Sequence, residues 1–174
     1  MKKKLFSKEV IKEILSPQLV KRVLQYALYM FVVLVVQDIV IAHIRIGGIC
    51  AFMLPAAVAA VGMFEGAIWG AMFGLVMGLF SDMLNPATVI TYTVLFPALA
   101  FAVGFISQFF INRRFVGYMV CSIGALLVTG LVQIVNLTLT DAWSLGLVFS
   151  AVFQTVLSVP FAALAYFPPA KWIE

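Results

Sequence analysis

The chain has 174 residues, of which 64% are hydrophobic and only 10% are charged, and its mean hydropathy is +1.15. A soluble domain is about 45–50% apolar and about 25% charged, so this composition excludes an ordinary globular protein and also a disordered chain. The net charge is +4, but seven of the 11 positive side chains lie within residues 1–22, before the first apolar run. Such a cluster is typical of a membrane flank rather than of a nucleic-acid groove, so no nucleic-acid partner is expected.

Residues 1–22 predict a basic amphipathic flank on the cytoplasmic side of the membrane. Apolar residues recur there at helical spacing: Phe6, Val10, Ile11, Ile14 and Leu15. The pattern favours a short helix lying on the inner leaflet, with a solvated charged tail as the alternative. We expect the basic side chains of the flank to contact anionic lipid headgroups. These are Lys2, Lys3, Lys4, Lys8, Lys12, Lys21 and Arg22.

Six apolar segments follow and predict an all-α integral membrane domain of six transmembrane helices over residues 23–167, with a short cytoplasmic tail at residues 168–174. Each segment has 18 to 26 residues, about the length at which a helix crosses a bilayer. Backbone polar groups in lipid must be paired internally, so we expect these segments to be helices. The segments are Val23–Ala42, Gly47–Phe64, Gly66–Leu84, Thr88–Ile111, Phe115–Thr140 and Ala142–Phe167, with Pro55, Pro97 and Pro160 inside the second, fourth and sixth.

The distribution of positive charge predicts that both termini are cytoplasmic. With six spans, the segments on the side of the termini hold ten Lys and Arg residues, and those on the other side hold only Arg45. The cytoplasmic loops of membrane proteins carry such an excess of Lys and Arg. The sequence therefore predicts a multi-pass protein whose outer loops follow the first, third and fifth spans.

Glycine recurs every four residues through the third span, at Gly66, Gly70, Gly74 and Gly78, and Asp82 takes the next position. Small residues at this spacing allow a second helix to approach closely in a membrane. Four residues turn a helix by about 400°, so the glycine stripe winds around the helix and suits a partner that crosses at an angle. That partner is either another helix of this protein or a helix of a second membrane protein.

Polar side chains lie toward the outer ends of several spans. Those we single out are Asp38, Asp82, Gln133 and Asn136, with Gln37 beside Asp38 and with Gln154 and Ser158 nearer the middle of the membrane. Gln133 and Asn136 are three residues apart and share a helix face. We expect Asp82 to cap or order the outer loop, with contact to a ligand or a partner as the alternative. As a group, these residues predict either hydrogen bonds between helices or an outward-facing pocket for a small ligand.

No residue pattern in the chain predicts an enzyme. The sequence has no Gly-x-Ser-x-Gly motif, no phosphate-binding loop and no paired carboxylates on one helix. Its two cysteines are distant from each other and, with the single histidine, His43, make no ligand cluster for zinc. We therefore expect a non-enzymatic protein without a metal or another cofactor.

The stretch Gly66-Ala-Ile-Trp-Gly-Ala-Met-Phe-Gly-Leu-Val-Met-Gly-Leu-Phe-Ser-Asp82-Met-Leu resembles the central glycine-rich signature of the MreD family of rod shape-determining membrane proteins. The first two spans are also similar, with Leu34-Val-Val-Gln37, a short loop containing Gly47, and Pro55. The chain departs from the family pattern in two places. Ala56 stands where the family often has an acidic residue, and Asn85-Pro86-Ala87 replaces a loop that usually contains glycine.

The resemblance implies a scaffold without enzymatic activity in the machinery that elongates the wall of rod-shaped bacteria, located in the cell membrane. The expected partner is MreC, with MreB filaments, RodA and a class B penicillin-binding protein in the wider assembly. The family is similar in fold to the substrate-binding subunits of energy-coupling-factor vitamin transporters, so such a subunit is the alternative function. Those subunits tend to carry Ala-x-x-x-Ala in the first span, whereas the inner half of this first span has only Ala27.

Overall fold

The computed structural model describes residues 17–46, 48–84, 90–109, 115–140 and 145–173. The chain separates into two compact units, residues 1–32 and 33–174. Five helices of the described part are long and apolar enough to cross a membrane, and one further apolar helix is shorter. The prediction of an all-α, multi-pass membrane protein is confirmed at this level.

Of the first unit, the structure describes only residues 17–32, which form the beginning of helix α1 (Pro17–Val35). Proline suits the first turn of a helix because its missing N–H has no partner there in any case. Helix α1 therefore begins inside the predicted flank and carries Lys21 and Arg22, both exposed, in its early turns. The lysines at positions 2, 3, 4, 8 and 12, and the predicted interfacial helix, lie outside the described residues.

The second unit begins with the end of helix α1 and then leaves regular helix. A π-helical turn (Val36–Val40) is followed by a 3₁₀ turn (Ile41–His43). Two short antiparallel strands come next, β1 (Arg45–Ile46) and β2 (Ile49–Cys50). Gly48 between them has a φ of +82°, a conformation that glycine adopts without strain.

The second apolar segment is not the continuous transmembrane helix that its composition predicts. Helix α2 (Leu54–Glu65) has 12 residues, which makes it about 18 Å long and too short to cross a hydrocarbon core of about 30 Å. The prediction was wrong because the start of the segment forms strand β2 and a non-helical stretch, and because Pro55 lies in the first turn rather than the middle of the helix. All residues from Leu54 to Phe64 are buried.

Four longer helices complete the unit: α3 (Ala67–Leu84), α4 (Thr91–Phe109), α5 (Phe115–Thr140) and α6 (Leu145–Ile173). Helix α5 has the bounds of the predicted fifth span. Pro97 lies inside α4 as predicted. The described part of the predicted tail, residues 168–173, continues helix α6.

Helix α2 is the centre of the second unit, because it packs against α3, α4, α5 and α6. Helix α3 packs closely along α4, and α5 packs along α6. The outward faces of the long helices carry large exposed apolar side chains, as a surface in contact with lipid does. The most exposed include Ile68, Met83, Val116 and Phe149.

Candidate functional site

The glycines of helix α3 lie against the backbone of neighbouring helices of the same chain. A Cβ atom added at Gly70 would stand 2.5 Å from the Cα of Gly62 in α2, and one added at Gly74 would stand 2.7 Å from the carbonyl oxygen of Phe96 in α4. At Gly78, an added Cβ would overlap the carbonyl oxygen of Tyr92. Of the two partners expected for the glycine stripe, the structure therefore shows a helix of this protein.

Gly66 differs from the other three glycines, because it lies outside helix α3. It ends helix α2 with a φ of +94°, and its N–H donates to the carbonyl oxygen of Gly62 at 3.1 Å. Its role is therefore a turn that reverses the chain between α2 and α3. Gly104 of helix α4, which lies outside the four-residue glycine repeat, makes a close contact of the predicted kind, since a Cβ there would stand 2.6 Å from the Cα of Ala67.

Asp82, near the end of helix α3, caps the beginning of helix α4. Its Oδ1 accepts the N–H of Tyr92 at 3.1 Å, and its Oδ2 accepts the N–H and the hydroxyl of Thr93 at 2.8 and 2.7 Å. The first N–H groups of a helix have no partner within it, and a negative charge near them is favourable. Ile90, directly before α4, has a φ of 60°, which is strained for a β-branched residue, and the bonds to Asp82 help to hold this entry.

Gln133 and Asn136 of helix α5 bind the same turn of helix α4. The Nε2 of Gln133 donates to the hydroxyl oxygen of Tyr92, and the Nδ2 of Asn136 donates to the Oγ1 of Thr91, both at 2.8 Å. Three of the four polar residues predicted to face outward thus converge on one helical turn. They link α3, α4 and α5 at one end of the bundle.

Asp38, the fourth predicted residue, is exposed on the π-helical turn, while its neighbour Gln37 is buried. The Nε2 of Gln37 donates to the carbonyl oxygen of Ala51 at 3.1 Å, and its Oε1 accepts the N–H of Met53 at 2.8 Å. In the sequence, Gln37 is distinguished as an amide inside an apolar run and as part of the Leu34-Val-Val-Gln37 stretch. Which of the two adjacent polar residues turns inward depends on the π-helical turn, which the sequence does not reveal.

Ser158, halfway along helix α6, is joined to this group of residues through Phe52. It accepts the N–H of Phe52 at 2.8 Å and donates to the carbonyl oxygen of Gln154 at 2.7 Å. The Phe52 ring lies 5.5 Å from the ring of Tyr92 and 6.3 Å from that of Phe96, measured between centroids. We call the six side chains linked in this way the polar end cluster: Gln37, Asp82, Tyr92, Gln133, Asn136 and Ser158.

The polar end cluster fastens helices together, because each of its side chains bonds to the backbone or side chain of another segment. Tyr118 serves the same purpose among α5, α6 and α2, with its hydroxyl 2.7 Å from the carbonyl oxygen of Ala162 and 3.2 Å from that of Ala56. Nothing in the sequence distinguishes Tyr118 from the other tyrosines.

Within the part of the chain that is described, no group of three or more His, Cys, Asp or Glu residues is arranged to hold a metal ion.

Comparison of the chain with protein-family models, with curated proteins and with solved structures found no match. The features of this protein that bear on its function are therefore the glycine contacts, the polar end cluster and the residues of the Gly66–Asp82 stretch.

Proposed function

We propose that this protein is a non-enzymatic membrane scaffold of the MreD type, which maintains rod cell shape by docking components of the machinery that elongates the peptidoglycan wall. The observation that carries the proposal is that residues of the Gly66–Asp82 stretch hold three helices together. Its glycines bring α2, α3 and α4 into backbone contact, and Asp82 fastens the end of α3 to the beginning of α4. The residues behind the resemblance therefore build a rigid platform, as a scaffold requires.

The surface for docking a partner is the outward face of helix α3. The glycine side of α3 is already covered by α2 and α4, so it is closed to a second protein. The opposite face presents large exposed apolar side chains along the whole helix: Ile68, Trp69, Met72, Leu75, Val76, Leu79 and Met83. The close glycine contacts limit the movement that we expect of this face. Rigidity favours docking, because less conformational freedom is lost when a partner binds.

We infer that the protein acts in the bacterial cell membrane with both termini in the cytoplasm. This requires six crossings, so the non-helical stretch at residues 51–53 and the short helix α2 would together complete the second one. The exposed Lys21 and Arg22 at the start of α1 suit contact with anionic lipid headgroups at the inner surface. MreC is the expected direct partner. MreB, RodA and a class B penicillin-binding protein belong to the wider assembly.

One observation favours the second candidate, a substrate-binding subunit of an energy-coupling-factor vitamin transporter. Helix α2 is a half-length helix preceded by a non-helical stretch, and interrupted spans of this kind line ligand sites in many transporters. Against it, the carboxylate of Asp82 and the amides of Gln133 and Asn136 are bonded within the protein. We therefore place the scaffold first.

Affinity capture after gentle extraction from native membranes, followed by quantitative mass spectrometry, tests the proposal. A variant with Leu75→Ala and Leu79→Ala alters the outward face of α3. A matched variant with Val120→Ala and Leu127→Ala alters an exposed apolar face of α5. Recovery of MreC with the parent and the α5 variant, and its loss with the α3 variant, supports the scaffold. Recovery of an ATPase pair with its membrane coupling subunit would contradict it and favour the transporter subunit.

A further inference from the structure

Side chains bind three backbone groups in the chain between strand β2 and helix α2, and the carbonyl oxygen of Met53 accepts the N–H groups of Ala56 and Ala57 in the first turn of α2. Ala51, Phe52 and Met53, which we call the strap, are not helical. The carbonyl oxygen of Ala51 and the N–H of Met53 bond to Gln37, and the N–H of Phe52 bonds to Ser158. Away from water, unpaired backbone groups are costly, so these three bonds make the closed position of the strap possible.

The two side chains that hold the strap come from opposite ends of the sequence. Gln37 belongs to the π-helical turn after α1, and Ser158 lies in α6, 106 residues beyond Phe52. The π-helical turn directs Gln37 into the protein, where it is 8% exposed, while Asp38 points outward. Single π-helical turns occur frequently at functional sites, and this one directs the side chain that makes two of the three bonds.

The strap covers an aromatic surface. The Phe52 ring packs on Tyr92 and Phe96, whose own rings are 5.2 Å apart between centroids. Tyr92 is 5% exposed and Phe96 is fully buried. Movement of the strap would therefore uncover a ring surface bordered by the polar atoms of Gln37, Ser158 and Gln133.

We propose that the strap is a closing element that opens as one unit when Gln37 and Ser158 release it. A regular helix opens one backbone bond at a time, whereas three backbone groups of the strap, in adjacent residues, depend on only two side chains. Loss of either side chain therefore also weakens the bond that the other side chain makes with the adjacent strap residue. This conformational device is independent of the scaffold proposal, since it concerns the second span and not the outward face of α3.

Amide hydrogen exchange of the full-length protein in a lipid nanodisc, resolved at Phe52 and Met53, tests this coupling. Gln37→Leu removes the partners of the Met53 N–H and of the Ala51 carbonyl oxygen but leaves the partner of the Phe52 N–H, so purely local bonding predicts faster exchange at Met53 and no change at Phe52. A strap that opens as one unit predicts that exchange at both amides rises about tenfold, because a buried bond has been lost. Ser158→Ala is the reciprocal variant and should speed exchange at Met53 as well as at Phe52.

Asp38→Asn is the matched control, because Asp38 is adjacent to Gln37 but exposed, and we expect parental exchange rates at both amides. The buried Cys121 reports whether a variant is folded, since it should resist alkylation in every folded variant. If Gln37→Leu exposes Cys121 and is therefore not folded, the exchange rate at Met53 in Ser158→Ala tests the proposal instead. A parental exchange rate at Phe52 in folded Gln37→Leu, or at Met53 in Ser158→Ala, would overturn the proposal.

Discussion

Asp82 and Thr93 are joined by two hydrogen bonds to one oxygen atom. The Oδ2 of Asp82 accepts the N–H of Thr93 at 2.8 Å and its hydroxyl at 2.7 Å. A helix N-terminus is usually capped by the residue directly before it, but here the cap comes from the end of the preceding helix. The arrangement fixes α4 against α3 at the end of the bundle where their glycine contacts also begin.

Replacement of Asp82 by Ala should lower the free energy of unfolding by about 1–3 kcal/mol, because the N–H groups of Tyr92 and Thr93 lose their partner. Thermal unfolding in a mild detergent measures the change. Thr93→Val keeps the backbone bond and loses only the hydroxyl bond, so its effect should be smaller. An Asp82→Ala protein as stable as the parent would contradict the capping role.

Gly78→Ala should destabilise the protein by about 1–3 kcal/mol, because the new methyl group would overlap the backbone carbonyl of Tyr92, which cannot move away cheaply. Gly124 is the matched control, since it also lies inside a helix but an added Cβ would meet nothing within 4 Å. Gly124→Ala should be neutral or stabilising by up to about 1 kcal/mol. Equal effects of the two substitutions on thermal unfolding would show that close backbone contact at Gly78 is not what matters.

The sequence predicts helices well where an apolar run is long and uninterrupted. Helix α5 has the predicted bounds, and Gly70, Gly74 and Gly78 lie in a close helix contact of the kind that four-residue spacing favours. The second span was mispredicted because hydropathy reports only that a segment is buried. It does not distinguish a helix from an extended stretch whose backbone bonds to side chains elsewhere in the fold, as Phe52 does with Ser158.

The candidate site could be predicted only in part, because residue types show which side chains need a partner but not how the backbone turns them. Asp82, Gln133 and Asn136 stand out because a polar side chain in an apolar span needs a partner, and all three find one at the first turn of α4. Which of Gln37 and Asp38 is buried depends on the local conformation of the backbone. Residue types alone favoured the charged neighbour, whereas the π-helical turn buries the amide.

The bond between Gln133 and Tyr92 should show a measurable coupling in a double-mutant cycle of Gln133→Leu and Tyr92→Phe. Hydrogen bonds between membrane helices average about 0.6 kcal/mol in such cycles and reach about 1.7 kcal/mol. We expect a value in this range from unfolding in detergent, because the 2.8 Å bond links α5 directly to α4. Pairing Gln133→Leu with Val94→Ala, an exposed position of α4, gives the control cycle, for which additive effects are expected.

Pro55→Ala distinguishes the observed second span from the continuous helix that hydropathy predicts. In the middle of a helix, proline costs about 3 kcal/mol relative to alanine, so its removal would stabilise the protein strongly. In the first turn of α2, where the structure places it, proline loses no helical bond and restricts the unfolded chain. We therefore expect Pro55→Ala to lower the free energy of unfolding by about 0.4–1 kcal/mol. Pro97→Ala, within α4, is the comparison, and a stabilisation at position 55 as large as any at position 97 would contradict the short helix.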